Sequence, residues 1–188
     1  MNICVYGASS DDIDPAYKGI VEDFGYQMAK RGHTMIFGAG GQGMMGAVAR
    51  GMTRGKGNII GVVPTFLNVD GILYEECTEL ISTDTMRERK QIMEDKADAF
   101  VMVPGGVGTY EEFFEILTLK QLGRHGKAII IFNIKGFFDA MINMLKEGAE
   151  KGFMTESTNE LYQIMTDTEE ILDYLDVYEP EVGKVYKF

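Results

Sequence analysis

Apolar positions along the chain fall into two rhythms that take turns from end to end. Short, mostly apolar runs occupy Asn2–Gly7, Thr34–Gly38, Asn58–Pro64, Glu79–Thr83, Ala99–Pro104, Ala128–Asn133 and Glu160–Thr166. Most are apolar at nearly every position rather than every second one, the pattern of strands covered on both faces. Between them, apolar residues recur with helical spacing near 15–31, 42–54, 85–97, 109–122, 136–151 and 168–177. Asp14 before Pro15 reads as a helix cap and first turn, and Gly32 as a helix stop. This alternation predicts an α/β fold: a single doubly wound, mainly parallel sheet with helices on both faces, Rossmann-like, with right-handed crossovers. No Pro/Gly/Ser linker and no fixed-period repeat interrupts the pattern, so residues 1–188 read as one α/β domain.

Charge narrows the partners. Acidic residues outnumber basic ones 29 to 18, a net charge of −11, the wrong sign for holding an extended nucleic acid through its phosphates. Ten of the acids lie between Glu150 and Glu181, where Lys151 is the one base, and read as a solvated outer face. The longest apolar runs, such as Ala128–Phe132, fall far short of the roughly 20 residues of a membrane span. The N-terminus enters Asn-Ile-Cys-Val-Tyr without a basic region ahead of an apolar stretch, which reads as a core strand rather than a secretory signal and predicts a cytoplasmic protein. Cys4 and Cys77 form neither a disulfide framework nor a zinc-ligand spacing, so no metal is expected. His33 and His125 read as structural, since no Ser or Cys is placed to form a triad with either.

In a sheet of this kind small ligands bind beyond the carboxyl ends of the strands, and three glycine loops fall there: Gly7-Ala8-Ser9-Ser10, Gly38 to Gly46, and Pro104 to Thr109. Gly38-Ala39-Gly40-Gly41-Gln42-Gly43 matches the dinucleotide fingerprint G-x-G-x-x-G. It follows the second predicted strand rather than the first, and Ile60-Gly61-Val62-Val63 supplies no acid for a ribose hydroxyl. Tight strand-to-helix packing and the lining of a smaller nucleotide pocket are the competing readings. Pro104-Gly105-Gly106-Val107-Gly108-Thr109 is sharper, because successive bare amides at a helix start form an anion site. No Gly-Lys-Ser/Thr follows, which favours a monophosphate over a triphosphate. Thr109 and Glu112 are also spaced as a capping box, so capping and catalysis both remain open for Glu112. On the helix near 85–97, Met86, Ile92, Met93 and Ala97 mark the inward face, and Arg87, Glu88, Gln91, Glu94 and Asp95 the outward one. Arg89 and Lys90 fall inward, where they require a carboxylate partner or an anionic ligand.

Pro104-Gly105-Gly106-Val107-Gly108-Thr109-Tyr110-Glu111-Glu112 (P-G-G-x-G-T-x-x-E) together with Met86-Arg87-Glu88-Arg89-Lys90 (M-x-x-R-K) resembles the LOG family of cytokinin-activating phosphoribohydrolases. The resemblance covers almost the whole chain, including Gly7 to Ser10, Gly38 to Gly46, and Gln121 to Lys127 followed by Asn133. It implies hydrolysis of the N-glycosidic bond of adenosine 5′-monophosphate, N6-modified or plain, to free base and ribose 5-phosphate, without a cofactor. Arg89 and Glu112 would be the catalytic pair and Lys90 would assist. Gly105, Gly106, Val107, Gly108 and Thr109 would hold the phosphate, with Met86, Glu111, Ser9 and Gly40 also touching substrate. Arg89 would hold a nearby carboxylate ionised. This chain carries Leu119 where many members have a tryptophan, and Gly71 where counting places an upstream acid; Asp70, Glu75 and Glu76 are the nearby acids.

A pyridoxal-dependent decarboxylase fits worst, since nothing marks a cofactor lysine. The alternatives are a general purine nucleoside-monophosphate nucleosidase and a non-catalytic nucleotide sensor. The resemblance and the 13 methionines, several on helices near the motifs, predict a homodimer joined through Met86–Ala97 and Phe113–Leu122.

Overall fold

Seven parallel strands form one sheet in the computed structural model, which describes residues 1–69 and 71–181. The strands are β1 (Asn2–Tyr6), β2 (Thr34–Phe37), β3 (Asn58–Pro64), β4 (Glu79–Thr83), β5 (Ala99–Met102), β6 (Ala128–Phe132) and β7 (Gln163–Met165). The helices are α1 (Pro15–Lys30), α2 (Gly43–Arg54), α3 (Met86–Lys96), α4 (Val107–Gln121), α5 (Asp139–Glu150) and α6 (Thr168–Val177). Within β1, Ile3 and Val5 join the core formed with α1, α2 and α6, whereas Cys4 and Tyr6 join the core under α3, α4 and α5. Both faces are therefore covered, which is why β5 and β6 are buried at every position. The edge strand β4 keeps Glu79 and Leu80 exposed.

The strand order is β4-β3-β2-β1-β5-β6-β7. From β1 the chain winds outward to β4, then returns to the other side of β1 and winds outward again. Neighbouring β1 and β5 thus lead into connections that diverge, opening a crevice at their carboxyl ends. The Val103 amide donates to the Tyr6 carbonyl at 2.9 Å and the Ala8 amide to Pro104 at 3.1 Å, tying the floor of that crevice.

Several predicted boundaries move for local reasons. The helix expected from 136 starts at Asp139, because Ile134–Gly136 forms a 3-10 turn with Lys135 at φ 51°. Asn133 holds this turn, its side chain accepting from the Phe138 amide and donating to Asp139, each at 2.8 Å. The last strand is only Gln163–Met165, since Glu156–Glu160 is another 3-10 turn. The acids of the C-terminal stretch are exposed, as expected of an outer face, and three of them, Glu169, Asp173 and Asp176 on α6, converge on Arg31 after α1. Met28, Met35, Met44, Met52 and Met93 are fully buried in the core, whereas Met86 on α3 and Met144 on α5 are exposed. Among the described residues no helix is long and apolar enough to cross a membrane.

Candidate active site

Where β1, β2, β3 and β5 end, a cleft of about 500 Å³ opens. Ser9 and Ser10 reach it from the loop after β1, and Gly38 and Gly40 from the loop after β2. Met86 and Arg89 of α3 form one side; Gly106 to Thr109 and Glu112, at the start of α4, form another.

The two glycine loops differ in one decisive respect. At α2 the amide of Gly43 donates to Asp11 at 2.9 Å, and those of Met44 and Met45 donate to the Ala8 carbonyl at 2.9 and 3.3 Å. Gly43 has φ +62°, and a Cβ there would strike the carbonyls of Ala8 and Ser10, so the loop after β1 fits tightly over this helix end. Its amides are committed to protein and cannot cradle a pyrophosphate, which removes the dinucleotide reading while leaving Gly38 and Gly40 as cleft lining. At α4 the cap is Gly106, which offers no side-chain acceptor, and among the described residues nothing accepts from the amides of Val107, Gly108 and Thr109. Uncommitted amides at the positive end of a 15-residue helix, lining the cleft, are the arrangement that suits an anion.

This geometry removes one of the two readings of Glu112, the capping box. The helix begins at Val107, so Thr109 is its third residue rather than its cap, and the capping box does not form. Glu112 instead accepts from Arg89 Nη1 at 3.0 Å, while Arg89 Nε donates to the Val62 carbonyl of β3 at 3.2 Å. Arg89 reaches the cleft because Thr85 caps α3, its hydroxyl accepting from the Glu88 amide at 3.1 Å, and because the next turns bury Met93. The side chains of Arg89 and Glu112 are only 9% and 13% exposed. Burial pushes the Glu112 carboxyl above its usual range and the Arg89 guanidinium pulls it back only in part. Arg89 lowers the carboxyl as expected, but desolvation outweighs it, so the net shift is upward.

Of the residues expected in the site, Arg89, Glu112, Met86, Gly106, Val107, Gly108, Thr109, Ser9 and Gly40 all line the cleft. Three do not. Lys90 is pinned outside by Glu111 and by Glu115, the latter at 2.7 Å, so Lys90 and Glu111 tie α3 to α4 rather than face the cleft. Gly105 is buried behind the loop, against Thr109 and Ala8. The sequence reading missed the segment between β3 and β4, whose Leu67, Ile72 and Leu73 form an apolar wall with Met45. That segment is stitched to the second glycine loop by Gly41 N donating to Ile72 O and Tyr74 N donating to Ala39 O, both at 2.8 Å. Its signal was present as a run of apolar residues, Phe66, Leu67, Val69 and Ile72, in a stretch otherwise built as a loop. Of the acids near Gly71, Glu75 and Glu76 are exposed and off the cleft, and Asp70 lies outside the described residues. His125 is buried against the Ile116 carbonyl and pushed down to about 4 by burial, and His33 sits by Asp176; neither lines the cleft. Among the described residues no group of three His, Cys, Asp or Glu side chains is placed to hold a metal ion.

Residues 45–175 match the family model described as "possible lysine decarboxylase". A cytokinin riboside 5′-monophosphate phosphoribohydrolase of Oryza sativa subsp. japonica is 33% identical, the match covering 98% of this chain and 77% of the relative. One from Arabidopsis thaliana is 30% identical over 95% of this chain and 84% of the relative. The molybdenum cofactor carrier protein of Chlamydomonas reinhardtii superposes with a TM-score of 0.71 at 19% identity, covering 93% and 95% of the two chains, a likeness of fold alone. With the family model matching residues 45–175 and the relatives aligned over nearly all of this chain, the chain belongs to the LOG family, the family described as "possible lysine decarboxylase".

Proposed function

We propose that the protein hydrolyses the N-glycosidic bond of a nucleoside 5′-monophosphate, releasing the free base and ribose 5-phosphate, with AMP and N6-modified AMP as the substrates. The observation that carries this reading is the Arg89–Glu112 pair in the same cleft as the uncommitted amides of α4. Those amides and the helix dipole would bind the 5′-phosphate, which places the ribose near the pair. As the C1′–N bond breaks, its electron pair leaves with the base nitrogen and positive charge grows on C1′. The Glu112 carboxylate stabilises that charge and takes a proton from the attacking water, whose oxygen bonds to C1′. The base nitrogen gains a proton, so one water is consumed for each base released. Arg89 holds Glu112 in place and meets the ribose hydroxyls. The apolar wall of Leu67, Ile72 and Leu73 receives the base. A second part of the proposal is that two copies associate through α3 and α4, where Met86 and Val107 are exposed at the cleft rim.

The test is base release from AMP, N6-isopentenyl-AMP, GMP and adenosine, followed by chromatography. Release from the adenine monophosphates with little from adenosine supports the reading. Equal release from adenosine would mean that the helix amides do not hold a phosphate.

A further inference from the structure

Gly38 follows β2 directly, and β2 pairs with β3 up to Phe37 opposite Gly61. The next residues on the two strands, Gly38 and Val62, both meet Arg89. Val62 supplies the carbonyl that accepts from Nε. Gly38 supplies empty space: a Cβ built on it would fall well inside contact distance of Nη2 and 3.1 Å from Cζ. Nothing in the backbone calls for glycine there, because Gly38 is not among the residues with positive φ. The missing side chain is therefore explained by the guanidinium rather than by the turn.

We propose that Gly38 is a positioning residue for the proposed reaction: its bare Cα forms the slot that seats the Arg89 guanidinium between the Val62 carbonyl and the Glu112 carboxylate. This rests on the reading of Arg89 and Glu112 as the working pair. A guanidinium so deeply buried has few places to go, and its two hydrogen bonds fix which nitrogen faces Glu112. Any side chain at position 38 displaces the Nη2 end first, loosening the bond from Nη1 to Glu112. The carboxylate would then keep its burial and lose much of its counterion. The other groups around it are Lys90 on α3, Glu111 on α4, and Cys4 and Tyr6 on β1, and none replaces the guanidinium: Lys90 is engaged with Glu111 and Glu115, and the other two are neutral.

The test compares wild type, Gly38→Ala, Arg89→Ala and the double variant by two readouts. One is the Glu112 titration followed by carboxyl-carbon NMR, and the other is AMP turnover. Gly38→Ala is expected to raise the Glu112 midpoint in the same direction as Arg89→Ala and to lower kcat on the order of 10- to 100-fold, the scale of one charge-assisted hydrogen bond. In the Arg89→Ala background the same change is expected to cost nothing further, because the atoms nearest the added Cβ are gone. An unchanged titration and turnover in Gly38→Ala would overturn the proposal, as would a full additional loss in the double variant. Should Gly38→Ala fail to fold, recovery of folding in the double variant supports the slot, and failure of both overturns it. A wild-type protein that releases no base would sink the proposed reaction, while the titration would still decide the role of Gly38.

Discussion

Replacing Glu112 by Gln keeps the shape and an oxygen able to accept from Arg89, and removes only the charge. Its consequences for stability and for turnover should therefore separate. Burial raises the Glu112 pKa in the folded protein above its unfolded value. A carboxyl shifted that way favours the folded state when protonated, and that contribution is lost as pH rises through the folded pKa. At neutral pH the ionised side chain is thus a burden on the fold, and Glu112→Gln should melt no lower than wild type. Turnover should move the other way. At about 4 Å and an effective dielectric near 20, a carboxylate stabilises a developing unit positive charge by about 4 kcal/mol, and single preorganised groups of this kind commonly supply about 100- to 1000-fold in kcat. The assay is free-base release under saturating AMP, paired with a thermal melt. A loss of at least about 100-fold with an unchanged or higher Tm is expected. Near-normal turnover would refute the electrostatic role, and a large fall in Tm would show that the carboxylate is there to hold the fold.

The same shift predicts that kcat rises with pH along an acid limb lying above the usual carboxylate value of 4.5, because the ionised form does the work; a pH profile already flat from pH 4.5 upward would contradict it. Among the three cations at the start of α3, Arg89→Ala should cost AMP hydrolysis on the order of 10- to 100-fold. Exposed Arg87→Ala should change little, and Lys90→Ala should cost at most about 1 kcal/mol of stability, measured by denaturant unfolding, since its partners are half-exposed acids outside the cleft. If two copies associate through α3 and α4, light scattering at micromolar concentration should give about twice 21.0 kDa, and a single-chain mass with full activity would exclude the dimer.

Much of the architecture was legible because the physics was local. Strands such as Ala128–Phe132 are apolar throughout, which only a doubly covered strand tolerates, and Thr34–Phe37 and Asn58–Pro64 lie within the runs that announced them. The helical phase of α3 was legible in part: Arg89 and Met93 share the buried face while Arg87 and Glu88 do not, but Met86, expected inward, is exposed and Lys90 pairs with Glu111 and Glu115 outside the cleft. Spacing alone could not rule out a capping role for Glu112; that needed the cap to be located at Gly106. Contacts between distant segments were likewise hidden. Lys90 looked like Arg89 until Glu111 and Glu115 were found beside it, and the apolar segment around Leu67 and Ile72 gained meaning only when it folded back over the second glycine loop. Gly38 was visible as one glycine of a fingerprint, but the reason for it lies on a helix about 50 residues further along the chain.

In the proposed reaction water, and not another acceptor, takes the ribosyl group when base is released in this cleft. Incubation of wild-type protein with AMP in ¹⁸O-labelled water, with mass spectrometry of the products, tests it most directly. Hydrolysis gives adenine and ribose 5-phosphate in equal amounts, the sugar phosphate carrying one heavy oxygen in excess of that taken up by unlabelled ribose 5-phosphate incubated alongside, with the yield abolished or nearly so in Glu112→Gln. Absence of free adenine, or adenine released without label in ribose 5-phosphate, would contradict it.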